Sequence, residues 1–215
     1  MPDGLRERKK QELREQLSLT TVLLARERGL AHVRVDDIVE RVGVSRRTFS
    51  NYFASKEEAI ADRHVQRTRE AAEALRLRPV GEPLWDSVTA VIIGRYASWS
   101  GAAAAAPDQD GLVAMLGEPE MQDAISRGSR VATTVLAQAV ADRLGTDVAD
   151  DLRPTLVANA ALSTQMATLH FWLRTGSPTG LPALMREAFQ QLRKGFGALQ
   201  LHEPATDGQE KESAS

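Results

Sequence analysis

Apolar residues along the chain recur at intervals of three and four and nowhere alternate with period two, a pattern that predicts helices and no sheet. A first helix is predicted over about 6–28, where Leu13, Leu17, Thr20, Thr21 and Leu24 share a face. Arg26 and Arg28 lie in its last turn and Gly29 follows, the usual chemistry of a helix C-terminus. Val35–Val42 reads as a second helix with Asp36 and Asp37 near its positive end, and Ser45–Phe53 as a third. Ser55-Lys56-Glu57-Glu58 has the Ser-x-x-Glu spacing of a capping box and opens a fourth, running to about Leu75. Pro79, Gly81 and Pro83 mark a break. Beyond it, helices are predicted at about 84–100, 110–116, 120–143, 152–175 and 182–199, with Pro107, Pro119, Pro154 and Pro182 near their starts. Ala102–Ala106 either finishes a helix or serves as a linker, and Glu203–Ser215 lacks large apolar residues, as a disordered tail does.

Composition narrows the function. The 215 residues, 42% hydrophobic and 26% charged, suit one domain or a small domain fused to a medium one. The absence of cysteine removes disulfide scaffolds, thiol nucleophiles, iron–sulfur clusters and Cys-based zinc sites, and fits a reducing cytoplasm. The charged N-terminus carries no signal-type apolar run, and no stretch is long enough to span a bilayer, so no membrane role is expected. The net charge of −2 hides an asymmetry: residues 1–56 hold 12 Lys/Arg against 8 Asp/Glu, and the remainder hold 15 against 21. A basic first quarter on an acidic remainder suits an anionic partner at the N-terminal end, or simply a solvated charged surface.

The segment DDIVERVGVSRRTFSNYF, from Asp36 to Phe53, carries the chemistry. Ile38 and Val42 share one face of helix two, Gly43 permits the tight turn, Val44 plugs the space between helices, and Ser45 is placed to cap helix three. Phe49, Tyr52 and Phe53 fall on one side of that helix, with Arg46, Arg47, Ser50 and Asn51 on the adjacent arc. This is the pattern of a helix-turn-helix, in which one helix braces and the next presents hydrogen-bonding side chains. Arginine can bond guanine O6 and N7 together, and asparagine can do the same for adenine N6 and N7. Arg47 and Asn51, at i and i+4, can therefore enter one major groove. Thr48, Tyr52 and Lys56 suit phosphate oxygens, Lys56 beside the positive end of helix four. The competing reading of the arc is a merely soluble arginine-rich face. Arg6, Arg8, Lys9 and Lys10 form either an arm toward DNA or a solvated start of helix one.

The order Glu27-Arg28-Gly29, Val35-Asp36-Asp37-Ile38, Gly43-Val44-Ser45-Arg46-Arg47-Thr48-Phe49 and Tyr52-Phe53-x-Ser55-Lys56-Glu57 resembles the DNA-binding domain of the TetR family of one-component transcriptional regulators. The resemblance covers about residues 10–60 and, beyond residue 76, only the all-helical architecture. It implies an all-α protein with an N-terminal three-helix DNA-binding domain (1–56), a C-terminal helical effector-binding and dimerisation domain (57–202) and a tail (203–215), helix four linking the two. It further implies a homodimer on a palindromic double-stranded operator, with repression as the default. By position, Arg46, Arg47 and Asn51 match base-facing sites, and Arg34, Ser45, Thr48, Ser50, Tyr52 and Lys56 backbone-facing ones. Three residues depart from the family pattern. Ser50 stands where an aromatic is usual, Val39 where a small residue separates helices two and three, and Arg34 where Thr or Ser caps helix two.

Thr155–Leu173 contains no Asp, Glu, Lys or Arg, so a helix there must be buried on more than one side. Leu181, Leu184, Ala188, Leu192, Phe196 and Leu199 give the last helix a similar stripe. Dimerisation through the helices at about 152–175 and 182–199 is the economical explanation, a wholly internal helix the other. No cofactor or metal is expected beyond a small-molecule effector. Its candidate lining is Trp85, Tyr96, Trp99, Met115, Met121, Asn159, Gln165 and His170, residue types that also fill ordinary cores. A regulator controlled by a protein partner instead of a ligand remains an alternative. An enzyme is the weakest reading, because no Gly-rich phosphate loop, His-Glu-x-x-His or Gly-x-Ser-x-Gly is present and His32, His64, His170 and His202 are scattered.

Overall fold

The computed structural model describes residues 2–96 and 116–195, with side chains from Leu5 onward, and those residues form helices and no strand. In chain order they are α1 (Pro2–Arg28), a 3₁₀ turn (Leu30–His32), α2 (Val35–Val42), α3 (Arg46–Ser50), α4 (Lys56–Arg76), α5 (Leu84–Gly94), α6 (Pro119–Leu144), α7 (Leu152–Thr175) and α8 (Leu181–Lys194). α4 joins two bodies. Its first turns pack on α1, and its whole length lies along α6, which in turn packs on α7, with α8 against α7 and α5.

The N-terminal body closes around Leu17, Leu24, Val33, Ile38, Val39, Phe49, Phe53 and Ala59, all buried. α2 starts where the Asp37 carboxylate accepts the Arg34 backbone N–H at 2.8 Å. The reciprocal bond of a capping box is missing, since a guanidinium has no acceptor. α2 ends at Gly43, at φ 78°, ψ 36°, its N–H donating to the Val39 carbonyl at 2.8 Å. A Cβ at Gly43 would touch nothing. Glycine is required there by backbone conformation and not by space.

Beneath this body lies a polar seam between α1 and α4. Arg14 donates through Nε (3.1 Å) and Nη2 (2.9 Å) to Asp62 Oδ1, and its guanidinium covers the Phe53 ring at 4.8 Å. Gln66 donates to Asp62 Oδ2 at 3.0 Å, Gln11 to Gln66 at 2.6 Å, and Ser18 to the Ala59 carbonyl at 2.6 Å. Ser18, Asp62 and Gln66 are buried, so each bond satisfies a group that water cannot reach.

The C-terminal body has its main core among Ala71, Leu75, Val88, Ile92, Leu136, Val140, Ala158, Leu162 and Phe189. A second cluster holds Tyr96, Trp172, Leu173, Leu181 and Met185. The predicted helices at 120–143 and 152–175 are observed within a residue. Three expectations are corrected. The third helix ends at Ser50 and not Phe53, because the Phe49 carbonyl accepts both the Tyr52 and Phe53 amides and closes the chain into a turn. The helix expected over 84–100 ends at Gly94, with residues 97–100 outside the described set. The last helix ends at Lys194; Phe196, Leu199, most of 110–116, Ala102–Ala106 and the tail 203–215 also lie outside the described residues.

Gly128, in the middle of α6, faces α4: a Cβ there would sit 3.5 Å from the Ala61 carbonyl oxygen and 3.6 Å from Val65 Cγ2, ordinary contact distances. Since interior helical glycine costs about 1 kcal/mol relative to alanine, Gly128→Ala is expected to raise the melting temperature by about 2–4 °C in a scanning-calorimetry comparison.

Candidate nucleic-acid interface and C-terminal chamber

α3 is only five residues long and could not persist alone. Two devices hold it. The Ser45 hydroxyl accepts the Thr48 amide at 3.0 Å and shares a hydrogen bond with the Thr48 hydroxyl at 2.9 Å. Phe49, 1% exposed, anchors the opposite side, its ring 5.7 Å from that of Phe53. The face left outward carries Arg46, Arg47, Ser50 and Asn51, all exposed. The Asn51 amide donates to the Arg47 carbonyl at 3.2 Å, so the two sit one turn apart on one surface. Arg46 pairs with Asp36 at 3.2 Å, an exposed contact that competes weakly with solvent or phosphate. Among the described residues no hydrogen bond or ion pair engages the Arg47 side chain.

The expected backbone-facing residues divide. Arg34, Ser45 and Ser50 are exposed, whereas Thr48 and Tyr52 are half-buried, Tyr52 against the N-terminal core. Lys56 is largely committed elsewhere: its ammonium donates to the Leu30 carbonyl at 2.7 Å and the Val33 carbonyl at 3.0 Å, pinning the 3₁₀ turn to the start of α4. The Glu57 carboxylate lies 3.9 Å from the same ammonium, so little of it is left for a phosphate. Ser55 caps α4 by accepting the Glu58 amide at 3.2 Å, while the Glu58 carboxylate accepts the Ala54 amide at 2.7 Å, one residue earlier than the capping-box pattern. Arg6, Arg8, Lys9 and Lys10 lie exposed on α1 as regular helix, not as an extended arm.

Of the expected effector lining, the structure brings Tyr96 and Gln165 together: the Gln165 amide donates to the Tyr96 hydroxyl at 2.8 Å, both residues buried. Met121 is fully buried. Trp85 instead stacks on Phe189 (5.6 Å) beside a groove between α5 and α8. Asn159 faces outward, its amide bonded to the Thr155 carbonyl of its own helix. His170 is exposed on a groove of about 890 Å³ between α7 and α8, lined also by Leu116, Thr168, Phe171, Leu173 and Leu184. Trp99 and Met115 lie outside the described residues.

Sequence reasoning missed the residues of α4 and α5 that meet Tyr96. The Arg67 guanidinium lies 5.8 Å from the Tyr96 ring centre. Burial lowers its pKa, and the nearby charges of Arg63 and Arg95 lower it further. Burial holds the Tyr96 hydroxyl above its ordinary pKa. Burial, reinforced by the charge of Arg67, pulls His64 down to about 4, so its ring is neutral at physiological pH. The one available signal was Arg63-x-x-x-Arg67, two like charges one helical turn apart, which an exposed helix disfavours.

The His64 shift fixes a pH dependence. The folded protein refuses a proton that the unfolded chain accepts below about 6.5, so this group's contribution is complete above that pH and is lost as pH falls toward about 4. Between those values wild-type stability is expected to fall more steeply than that of His64→Asn, by an amount of the order of 2 kcal/mol in urea melts.

Comparison with known proteins agrees with this architecture. Residues 20–61 match the model for "Bacterial regulatory proteins, tetR family" and residues 82–197 the model for "MftR C-terminal domain". The HTH-type transcriptional regulator TcmR of Streptomyces glaucescens is 32% identical over 164 residues, spanning 72% of this chain and 70% of that one. A Syntrophomonas wolfei protein assigned to the TetR family superimposes with a TM-score of 0.59 at 12% identity, over 89% of this chain and 100% of that one. Thermus thermophilus FadR, a TetR-family repressor solved with lauroyl-CoA, does so at 0.53 and 20% identity, over 91% and 100%. The exposed pair on α3, the helical C-terminal body and the matched relatives lead to one conclusion: the chain belongs to the TetR family of transcriptional regulators.

Proposed function

We propose that the protein acts as a homodimeric repressor that sits on a palindromic operator and leaves it when a small molecule occupies the C-terminal chamber. The observation that carries the DNA half is the outward, unencumbered Arg47 one turn from Asn51, on a helix fixed from behind by Phe49. Fork-shaped and amide side chains on one helix face are the means by which a major groove is read. No described helix is long and apolar enough to cross a membrane.

The dimer half is supported by the exposed face of α7. Leu152 (67% exposed), Leu156 (56%), Asn159, Ser163, Ala167, His170 and Phe171 (47%) follow one another at three- and four-residue steps. Most soluble faces of that length carry charge. This one has no Asp, Glu, Lys or Arg between Thr155 and Leu173. Beside it on α8, Leu184, Ala188 and Leu192 are half-buried in the single chain. Two such pairs, related by a two-fold axis, would bury the stripe in a four-helix bundle.

The effector half rests on the buried polar contacts around Tyr96, where Gln165 lies on the side of α7 away from the dimer face. An effector can release DNA only through its differential affinity for two states of the protein. Helix α4 is the part that touches both the chamber and the reading head, through Arg67 and Ala59 respectively.

Two outcomes test the reading. In fluorescence anisotropy with DNA from upstream of its own gene, Arg47→Ala is expected to lose about 1–3 kcal/mol and to relax discrimination at one position per half-site; a uniform loss across sequences would instead make Arg47 a phosphate clamp. Leu156→Glu is expected to turn a dimer into a monomer in light scattering and to abolish high-affinity operator binding while leaving the helical circular-dichroism signal intact.

A further inference from the structure

α2 opens on two acids that do different work. Asp37 accepts the Arg34 backbone N–H at 2.8 Å and pairs with Arg28 of α1 at 3.5 Å. Asp36 accepts no backbone amide among the described residues, and its side chain is 62% exposed. Its ion pair there crosses the turn: Oδ1 lies 3.2 Å from Nε of Arg46, the first residue of α3.

A carboxylate is out of place on this face. Any duplex that approaches brings phosphates toward it, and a negative charge there weakens binding to every sequence alike. The positive end of α2 favours an acid, but Asp37 already supplies one. Asp36 also makes the two arginines of α3 unequal. The Arg47 side chain has no partner among the described residues, whereas Arg46 is restrained by a second element. The restraint acts at Nε, the inner nitrogen, and both terminal nitrogens of Arg46 meet no acceptor among the described residues. A base edge with two acceptors is read by paired donors of the planar fork.

Resting on the DNA reading above, we infer that Asp36 is a positioning residue that sets operator specificity: it keeps the terminal nitrogens of Arg46 for a base edge and withholds that side chain from phosphates. An exposed ion pair contributes little to stability. Its effect here is on a ratio of affinities. On a nonspecific duplex Arg46 must leave Asp36 to reach a phosphate, and on the operator it meets a base while the pair persists. The plain cost of one negative charge falls on both complexes and cancels.

The test uses a site that the wild-type full chain selects from a randomised duplex pool, together with a shuffled version of that site. In fluorescence anisotropy at fixed salt, Asp36→Asn is expected to strengthen binding to the shuffled duplex. It is also expected to lower the ratio of the two dissociation constants about fivefold or more, the scale of one good arginine–base contact. The lost discrimination should fall at the base pair that Arg46→Ala also relaxes. With Arg46→Ala already present, adding Asp36→Asn should leave the ratio within about twofold, because the two residues act as one unit. Thermal melts identify a variant that fails to fold, and Asp36→Ser, uncharged and suited to a first helical turn, then carries the comparison. A role confined to the helix end would lower the melting temperature and leave the ratio unchanged, and that result overturns the inference. So does a fall in the ratio that persists without Arg46. Both results leave the DNA reading standing, whereas a pool from which the wild type enriches no sequence overturns that reading too.

Discussion

The fold depends on a single helix being shared between two bodies, and that sharing is secured by a buried charge. Asp62 lies on α4 with 5% of its surface exposed, and it is compensated by the two donated bonds of Arg14 and the amide of Gln66. A buried carboxylate stripped of these partners would be strongly destabilising, so the α1–α4 register has little freedom to slip. An apolar seam of equal area would tolerate small slides. This one has a preferred geometry because hydrogen bonds are directional. The same arginine covers Phe53, whose ring packs against Phe49 of α3. The position of the exposed Arg47 is therefore fixed, three contacts removed, by a charge pair on α4.

That chain of contacts gives physical content to communication between the two ends. His64 and Arg67 stand within a turn and a half of Asp62 on α4. Ala71, Ala72 and Leu75, further along, are locked in the C-terminal core. Whatever tilts the middle of α4 carries Asp62 with it, and through Arg14 the reading head. The Lys56 clasp on the Leu30 and Val33 carbonyls adds a second attachment at the start of the helix. The N-terminal body accordingly responds as a unit, which suits a dimer whose two heads must match a fixed groove spacing.

Much of this was legible in the sequence because local chemistry and tertiary packing agree. α2 begins and ends where its acidic first turn and Gly43 place it, and the charge-free run of Thr155–Leu173 marks the helix whose outer face is bare. α3 was over-extended because Phe49 and Phe53 keep helical spacing even though the chain between them has become a turn. The effector lining was only partly legible. Tyr96 and Gln165 stood out as amphipathic residues, but aromatic and sulfur side chains fill cores and grooves alike, and Trp85 belongs to a different groove. Arginines read by default as solvated, and nothing local distinguishes Arg67 or Arg95 from Arg130. Their surroundings are created by contacts between segments well separated in the chain, Arg67 with Tyr96 and Arg95 with Glu70.

The contrast between the two arginine sets is the last step. On α3, Arg47 is fully hydrated and waits for an anionic partner that is itself highly charged, so association is favoured at long range and screened by salt. Around Tyr96 the guanidinium groups have already lost much of their water, so the penalty of desolvation falls on folding. There Arg67 lies over the Tyr96 ring and Arg95 pairs with Glu70, and such internal contacts offset that penalty because Coulomb interactions strengthen where the effective dielectric is low. One chain thus uses the same side chain in two dielectric settings. The exposed set is left open to a polyanion over a long surface, and the buried set ties α4 to the segment that follows α5.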